Sequence, residues 1–484
     1  MRLSVSEITA AVAGSCDSAG DTMVTGVTWD SREVKPGDLY VALPGERVDG
    51  HDFADAAAAA GAVAALVSRP VGADIAAIVV PDTSAALTEL AAYWRTKLTG
   101  LVIGLTGSSG KTSTKNLVRD VLSHGASVVA TAANQNNELG VPRTLLAADA
   151  DTSAVVVEMG MRGMGQIEDL CKTAAPDWGL ITNVGESHIE LLGSRDNIAK
   201  AKAELFEALP DGSGVAFVNA ADDYAAEVCR IGRLRERGVV PVFYDGYGAV
   251  DAAACGGPVG PDDAFVWATG ISFDSEGRPS FTLNARNFDR VGKPGADGSV
   301  ACALELRGAH SVSNACSAAA VGLAKGMTLS QCAEALAAAQ PERGRQQIAR
   351  TASGVTVVDD SYNANPDSMK ASLSTFAQME VEGRRIAVLG DMLELGDFSR
   401  ECHERVGAYA AEAGLDHLIC VGELSSFIAQ QAVRCGLDES AITLCASAEE
   451  ALEALKPILS AGDAVLAKAS HSIGLDRVVE GLVI

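Results

Sequence analysis

The chain has 484 residues, more than one hydrophobic core usually holds, so two to four domains are expected. Apolar residues (48%) and charged residues (21%) stand in globular proportion, and the longest apolar stretch, Ala56 to Val67, has about a dozen residues against the roughly 20 a bilayer needs, which excludes a membrane-spanning helix. A formal charge of −25 disfavours nucleic acid, whose binding needs Lys and Arg to neutralise phosphates; an anionic small molecule must be held by local devices such as helix N-termini, magnesium and a few placed cations.

The N-terminus, Met1-Arg2-Leu3-Ser4-Val5-Ser6-Glu7, lacks the charged-then-apolar pattern of a signal peptide, so a cytoplasmic protein is expected. Residues 1–98 alternate short β-like runs (Leu39–Leu43, Ala64–Val67, Ala77–Val80) with alanine-rich helical stretches, which predicts a small α/β domain. From residue 99 the alternation lengthens, with strands expected at Leu101–Leu105, Ser127–Ala130, Ala154–Glu158, Gly179–Thr182 and Val215–Val218. Such nearly continuous apolar strands imply a parallel sheet buried on both faces. Between Phe243 and Leu306 the texture turns Gly/Pro/Asp-rich with alternating segments such as Phe281-Thr282-Leu283-Asn284, an antiparallel extension of the same domain, followed by a helix from about Val312 to Lys325. After Pro341-Glu342-Arg343-Gly344-Arg345, strands at Val355–Asp359, Arg385–Leu389, His417–Val421 and Ala464–Ala467 separated by helices predict a second doubly wound, Rossmann-like sheet. The fold class is thus α/β in three domains, 1–98, 99–341 and 342–484. Eleven cysteines scattered singly from Cys16 to Cys445, without a Cys-x-x-Cys pair, read as reduced thiols rather than disulfides or zinc ligands.

Gly104-Leu105-Thr106-Gly107-Ser108-Ser109-Gly110-Lys111-Thr112-Ser113-Thr114 follows an apolar strand and leads into a helical pattern beginning near Asn116. A strand-to-helix turn of this composition aims successive N–H groups and a helix N-terminus at one point, where phosphate oxygens settle. Gly104, Gly107 and Gly110 let the backbone curl and approach the nucleotide; Lys111 would reach the β/γ-phosphates and the Thr112 hydroxyl would ligate magnesium. An ordinary glycine turn would not need strand, spacing, Lys-Thr pair and helix together.

The apolar strand Ala154–Glu158 ends in a carboxylate. If it neighbours the phosphate-loop strand, Glu158 becomes a magnesium-ligand candidate; a strand-end surface Glu is the plainer reading. The strand running into Thr182-Asn183-Val184-Gly185-Glu186-Ser187-His188 ends at the same sheet edge, where open α/β sheets bind ligands, so His188 is either a second metal ligand or structural. On the helix beginning near Asp196, Lys202 interrupts the stripe Ile198, Leu205, Phe206 and Leu209, whereas Lys200 lies off it and reads as solvated. A lysine on a buried face snorkels, pairs, or shifts toward the neutral amine; a neutral amine can take up carbon dioxide as a carbamate, an anionic oxygen donor suited to magnesium.

The phosphate loop, Asn134-Gln135-Asn136-Asn137-Glu138-Leu139-Gly140-Val141-Pro142, Glu158-Met159-Gly160-Met161-Arg162-Gly163, Asn183 to Ser194 and Ala201-Lys202-Ala203-Glu204-Leu205 resemble the central domain of the Mur ligases, which build the peptidoglycan stem peptide. Thr28-Trp29-Asp30-Ser31-Arg32 and Asp49-Gly50-His51-Asp52-Phe53 resemble that family's nucleotide-sugar domain, and Asp359-Asp360-Ser361-Tyr362-Asn363-Ala364-Asn365-Pro366 the first turn of its C-terminal domain, so the resemblance covers essentially the whole chain.

The resemblance implies that Gly107, Ser108, Ser109, Gly110, Lys111, Thr112 and Ser113 hold ATP, with Asn314 at the adenine, Arg343 at a phosphate near the hinge and Asp360 on the ribose side. It implies metal at Thr112, Glu158, His188 and Lys202, the last carbamylated, with two magnesium ions and Lys111, Lys202 and His188 carrying the catalysis. Ser31 and Arg32 would lie near a uridine diphosphate, and Asn136, Asn137, Asn363 and Asn365 would contact substrate. Residue types alone leave Asp30-Ser31-Arg32 open as a plain turn, Asn136-Asn137 as turn formers and Arg343 as a solvated hinge residue. Two departures stand out. Ser311 follows His310 where many relatives have Asn, and Lys468-Ala469-Ser470-His471 replaces a Lys-Gly-Ser-Arg-like run.

The Asp-Asn-Pro-Arg run of the diaminopimelate-adding branch is absent, which favours addition of a dipeptide. The expected partners are UDP-N-acetylmuramoyl-tripeptide and D-alanyl-D-alanine, joined by a monomer through an acyl phosphate. The alternatives are a related ligase of the folylpolyglutamate or cyanophycin synthetase type, and an ATP-hydrolysing switch without ligase activity.

Overall fold

The computed structural model describes residues 1–17, 20–45, 48–247, 259–292 and 294–483. Three larger sheets carry the chain as three domains, beside a two-stranded pair of Leu3–Ser4 with Met23–Val24. In the first, four short strands, Gly26–Thr28, Asp38–Val41, Ala64–Val67 and Ala76–Val79, pair in parallel in that order. The helix Thr83–Arg95, started by Asp82 accepting from the N–H groups of Ser84 and Ala85, closes this domain. It also joins it to the next: Trp94 Nε1 donates to the Ala148 carbonyl at 3.0 Å, and Arg95 pairs with Asp177 at 3.0 Å.

The central sheet has nine strands. From one edge these are Gly298–Ala303, Pro279–Arg286, Ala264–Phe273, Val240–Asp245, Val215–Asn219, Trp178–Ile181, Leu101–Thr106, Ala154–Glu158 and Val128–Ala130. Pairing is parallel except for the two ladders made by Pro279–Arg286, which run antiparallel as the alternating texture there suggests. The apolar strands are buried on both faces, with Val102, Ile103, Leu105, Val156, Val157, Leu180 and Phe217 all at 0% exposure. Because neighbouring parallel strands end together, Leu105 pairs with Glu158 and Thr106 with Ile181. The phosphate loop, Glu158 and the Thr182–His188 loop therefore emerge side by side.

The helix after the loop starts at Lys111, not near Asn116. The Lys-Thr-Ser-Thr run reads as loop because β-branched and hydroxyl side chains are poor helix formers, but at a helix N-terminus they meet donors that need partners. Gly104 also departs from expectation. It lies inside the strand Leu101–Thr106, where a Cβ would come within 2.7 Å of Leu205 Cδ1, so its bareness seats the helix Arg195–Glu207 rather than a nucleotide. Through Gly104 and Gly179 that helix sinks deeper than its stripe implied, burying Ala199, Ala201, Ala203 and Glu204 as well as Ile198, Leu205 and Phe206.

The third sheet orders Gln347–Arg350, Thr356–Asp359, Ala464–Lys468, Arg385–Gly390, His417–Val421 and Ile442–Cys445, all parallel but for the first, antiparallel strand. The edge strands Gln347–Arg350 and Ile442–Cys445 were not expected from sequence, being short and polar or half-exposed. Nine described cysteines, from Cys171 to Cys445, are free thiols, in line with the sequence reading; Cys255 lies outside the described residues. No helix among the described residues is long and apolar enough to cross a membrane.

Candidate active site

The loop Gly107–Gly110 is shaped by what surrounds it. A Cβ on Gly107 would lie 1.8 Å from Thr182 Oγ1, so only glycine fits. Asn183 Oδ1 accepts from the Ser109 N–H at 3.0 Å, Thr182 Oγ1 donates to the Ser109 carbonyl at 2.7 Å, and the Gly185 N–H donates to Ser108 Oγ at 2.8 Å. The two sheet-edge loops thus brace each other. Gly110, left-handed at φ 75°, turns the chain into the helix Lys111–Ser123. Lys111 Nζ folds back onto the Gly107 carbonyl at 2.8 Å, beside the N–H groups that open the helix.

Glu158 stands at the bottom of this cradle, 1% exposed. One carboxylate oxygen, Oε1, accepts from Asn136 Nδ2 at 2.9 Å and from Thr112 Oγ1 at 3.4 Å; the other, Oε2, is buried without a hydrogen bond and lies 3.7 Å from Lys115 Nζ. Lys115 is itself 1% exposed and donates to the Ala133 carbonyl at 3.2 Å. Sequence reading passed over Lys115, although it lies four residues after Lys111 on one helix face, next to the strand that ends in Glu158. Burial pulls the ammonium pKa of Lys111 and Lys115 down, and Glu158 holds against it.

Beyond the loop lie His188 and Lys202. Burial foremost, then the charges of Lys111, Lys202 and Arg162, push the His188 pKa down to about 4, so its imidazole is neutral at ordinary pH. Lys202, 1% exposed, is driven well below the usual lysine range by burial and then by Lys111. It neither snorkels nor pairs. Its charge acts on His188, and that of Lys111 acts on it, so the amine lies near both, although Lys202 is not among the residues that line the cavity.

The site sits in a cavity of about 1570 Å³ between the central and C-terminal domains. Ser108 to Ser113, Asn136, Asn137, Glu158, His188, Asn314, Asp360, Asn363 and Asn365 all line it. Asn136 holds Glu158, whereas Asn137 Oδ1 accepts from the Gly140 N–H at 3.1 Å and so fixes the loop before the helix Gly140–Leu146. Asn314, on the helix Ala309–Ala324, has a buried Nδ2 without a partner, and its Oδ1 stands 3.1 Å from where a Gly110 Cβ would be. Asp360 pairs with Lys468 at 2.9 Å, both buried, and Lys468 also donates to the Asn363 carbonyl at 2.8 Å. Asn365 caps the helix Pro366–Gln378 and donates to Ser187 Oγ across the domain boundary at 2.8 Å.

Gly107, Lys202, Arg343, Ser31 and Arg32 are not among the residues that line this cavity. Arg343 is exposed and pairs with Glu480, outside the cavity lining; its neighbour Arg345 reaches in instead, donating to Thr112 Oγ1 at 3.2 Å and lying 4.3 Å from the Tyr362 ring centroid. An Arg-Gly-Arg run offers two candidates, and only the packing on Tyr362 selects the second. Ser31 and Arg32 belong to the N-terminal domain and do not line this cavity; Arg32 forms a bidentate pair with Asp30 at 2.8 and 2.6 Å on an exposed turn.

A carboxylate with a free buried oxygen, a hydroxyl beside it and a cradle for phosphates are hard-oxygen donors that suit magnesium. Among the described residues no three His, Cys, Asp or Glu gather into a cage. Family models match the chain in three consecutive stretches: Mur ligase family, catalytic domain, over residues 23–95; Mur ligase middle domain, over 105–322; and Mur ligase, glutamate ligase domain, over 344–471. The chain belongs to the Mur ligase family. The UDP-N-acetylmuramoyl-tripeptide–D-alanyl-D-alanine ligase of Mycobacterium tuberculosis (strain ATCC 25618 / H37Rv) is 38% identical, covering 100% of this chain and 98% of its own length. The ligase of the same name from Escherichia coli (strain K12) is 38% identical over 88% of this chain and 87% of its own. Among solved structures of the family, MurF from Acinetobacter baumannii superposes with a TM-score of 0.83 at 31% identity, covering 100% of this chain and 99% of that one. A Mycobacterium tuberculosis folylpolyglutamate synthase, 16% identical with a TM-score of 0.60 over 82% of this chain and 94% of that one, shares the fold alone.

Proposed function

We propose that the chain is an ATP-dependent amide ligase that joins D-alanyl-D-alanine to UDP-N-acetylmuramoyl-tripeptide, releasing ADP and phosphate, in peptidoglycan precursor synthesis. The single observation that carries this reading is full-length similarity, across all three domains, to ligases bearing that name. The ADP complex of the Thermotoga maritima MurF ligase, 28% identical with a TM-score of 0.75 over 95% of this chain and 97% of that one, supports ATP as the nucleotide.

A carboxylate is a poor acylating agent, so one of its oxygens must become part of a leaving group. The tripeptide's terminal carboxylate attacks the γ-phosphorus of ATP; the amine of the dipeptide then attacks the acyl phosphate, phosphate leaves and an amide remains. The first step pushes an anion toward an anion. Lys111 neutralises the transferring phosphoryl group, and the N–H groups of Gly110 to Thr112 hold the phosphates at the helix N-terminus. Arg345 adds a cation from the C-terminal side, and closure of that domain over the cavity keeps water from the acyl phosphate. Thr112 and Glu158 would hold one magnesium ion, and His188 with a carbamate on Lys202 a second, each supplying positive charge to phosphate oxygens. Lys202 suits carbamylation because burial, and then the charge of Lys111, pull its amine toward the neutral form. Ser31 and Arg32, on the exposed turn of the N-terminal domain, are assigned to the uridine diphosphate end of the acceptor.

Phosphate release measured with each substrate alone and with both tests the reading. Strict dependence on the UDP-muramoyl peptide and the dipeptide is expected; release without an amine would mark a switch ATPase instead. Lys111→Ala should lower kcat/KM at least about 10²–10³-fold while leaving the fold intact by circular dichroism.

A further inference from the structure

Glu394 belongs to the C-terminal domain, in the loop after the strand Arg385–Gly390, yet its carboxylate ends in the central domain's site. Oε2 is 2.9 Å from His188 Nδ1, a close contact without hydrogen-bond geometry, and Oε1 is 3.2 Å from Arg162 Nη2. The loop that carries it is fixed from three sides. The Met392 N–H donates to His403 Nε2 at 3.0 Å, the Leu393 N–H donates to Ser470 Oγ at 2.9 Å, and the side chains of Met392 and Leu395, at 0% and 2% exposure, anchor it in the core. Its approach to the central domain is close, since a Cβ on Gly396 would come within 2.5 Å of Glu190 Cγ.

Backbone conformation singles out the same pair. His188 at φ 63° and Glu394 at φ 61° are two of eight non-glycine residues with positive φ among those described, and they face each other across the boundary. Such conformations persist where the surrounding structure imposes them and cluster at functional sites. The two ring nitrogens of histidine are not equivalent: a carboxylate on one fixes the tautomer and turns the other into a directed lone pair.

We propose that Glu394 is a positioning residue: its carboxylate, set against His188 Nδ1 from the opposite domain, favours the tautomer with the proton on Nδ1 and so presents the bare Nε2 to the metal site, so that docking of the C-terminal domain and completion of that site are one event. This inference rests on the ligase reading for the identity of the ion, but the tautomer of His188 does not. Arg162 neutralises the second carboxylate oxygen, so Glu394 enters the cavity without adding an unpaired charge.

The test uses full-length wild type, Glu394→Gln and Glu394→Ala. In metal-free protein labelled with ¹⁵N-histidine, with the His188 signals assigned from a His188→Gln variant, the wild type should show Nδ1 protonated and Nε2 bare, and both Glu394 variants a mixture of tautomers. Titrated with Mn²⁺ in the presence of ADP and followed by electron paramagnetic resonance, the variants should bind the weaker of two ions about 10–100-fold less tightly, with the tighter ion unchanged. Turnover should then fall in kcat while KM for ATP holds. An unmoved tautomer together with an unmoved second Mn²⁺ affinity overturns the assignment. So does an activity loss accompanied only by domain opening in small-angle scattering, which would make Glu394 a latch. A wild type that turns over both substrates alongside either result leaves the ligase reading standing; a wild type inactive on both overturns that reading, while the tautomer still decides for or against Glu394.

Discussion

Glu158 and Lys115 form a buried ion pair whose two members have unequal support. Glu158 has hydrogen bonds from Asn136 and Thr112 on one oxygen only, and the other depends on Lys115 at 3.7 Å. Two charges at 1% exposure are costly to bury, and removing one leaves the other uncompensated, typically at about 3–5 kcal/mol. Lys115→Met should therefore lower the melting temperature of the ligand-free protein. If Glu158 is a magnesium ligand, Mg²⁺ with ADP replaces the lost cation, so the nucleotide should raise the variant's melting temperature more than the wild type's. Thermal melts with and without Mg²⁺ and ADP check this; an equal rise in both would remove Glu158 from the metal site. At this scale the sequence disclosed residue types bound to a motif, such as Lys111, Thr112 and the Lys202 that breaks an apolar stripe. It did not disclose Lys115, Glu394 or the choice of Arg345 over Arg343, because each depends on which side chains meet across two elements or two domains.

Elements were more legible than contacts, since apolar strands such as Ala154–Glu158 declare themselves by composition, and parallel pairing follows from the helices between them. What escaped were elements stabilised from outside, such as the edge strand Ile442–Cys445 and the first turn of the helix Lys111–Ser123. The loop Asp391–Leu395 is a further case, because its order depends on the helix Ser399–Glu412. There His403, fully buried, keeps its proton on Nδ1 against the Ser399 carbonyl at 2.6 Å and accepts the Met392 N–H at Nε2. Burial above all lowers its pKa below the ordinary 6.5, against smaller opposing effects of Ser399 and Asp391. The unfolded chain then binds this proton more readily than the folded one, so His403 contributes stability in full above pH 6.5 and loses it as pH falls through the folded pKa. Protonated, Nε2 would face the Met392 N–H donor to donor. His403→Gln keeps an acceptor there without a titrating group. Denaturant midpoints measured from pH 7.5 down to 5 should fall less steeply in His403→Gln than in wild type, and matching slopes would show that His403 does not set this dependence.

The whole molecule closes around its cavity by many small polar contacts, set about an apolar core that runs on from the central into the C-terminal domain. On the cavity side the C-terminal and central domains meet through Arg405 with Glu186, Glu394 with His188 and Arg162, Asn365 with Ser187 and Arg345 with Thr112. Near the hinge they meet through Arg350 with Glu276 at 3.1 Å and the Glu380 N–H with the Ser275 carbonyl at 2.9 Å. Half-exposed ion pairs of this kind contribute about 0.2–1 kcal/mol each, so docking is a sum that single substitutions can tilt. Arg405 and Glu186 make the one bidentate contact in the set, with Nη1 donating to Oε1 at 3.0 Å. Arg405→Glu would set a carboxylate against Glu186 in a chain already at −25, and the expected result is opening. A compact chain of 484 residues has a radius of gyration near about 23 Å; in small-angle scattering the variant should exceed the wild type at low salt. Raising the salt shrinks the Debye length to about 3 Å at 1 M, which screens the new repulsion and should narrow the difference. Since the open form must close before the acyl phosphate is safe from water, the variant should also release more phosphate per amide formed. Identical radii and identical coupling would place the closing force elsewhere, in the apolar contacts at the hinge.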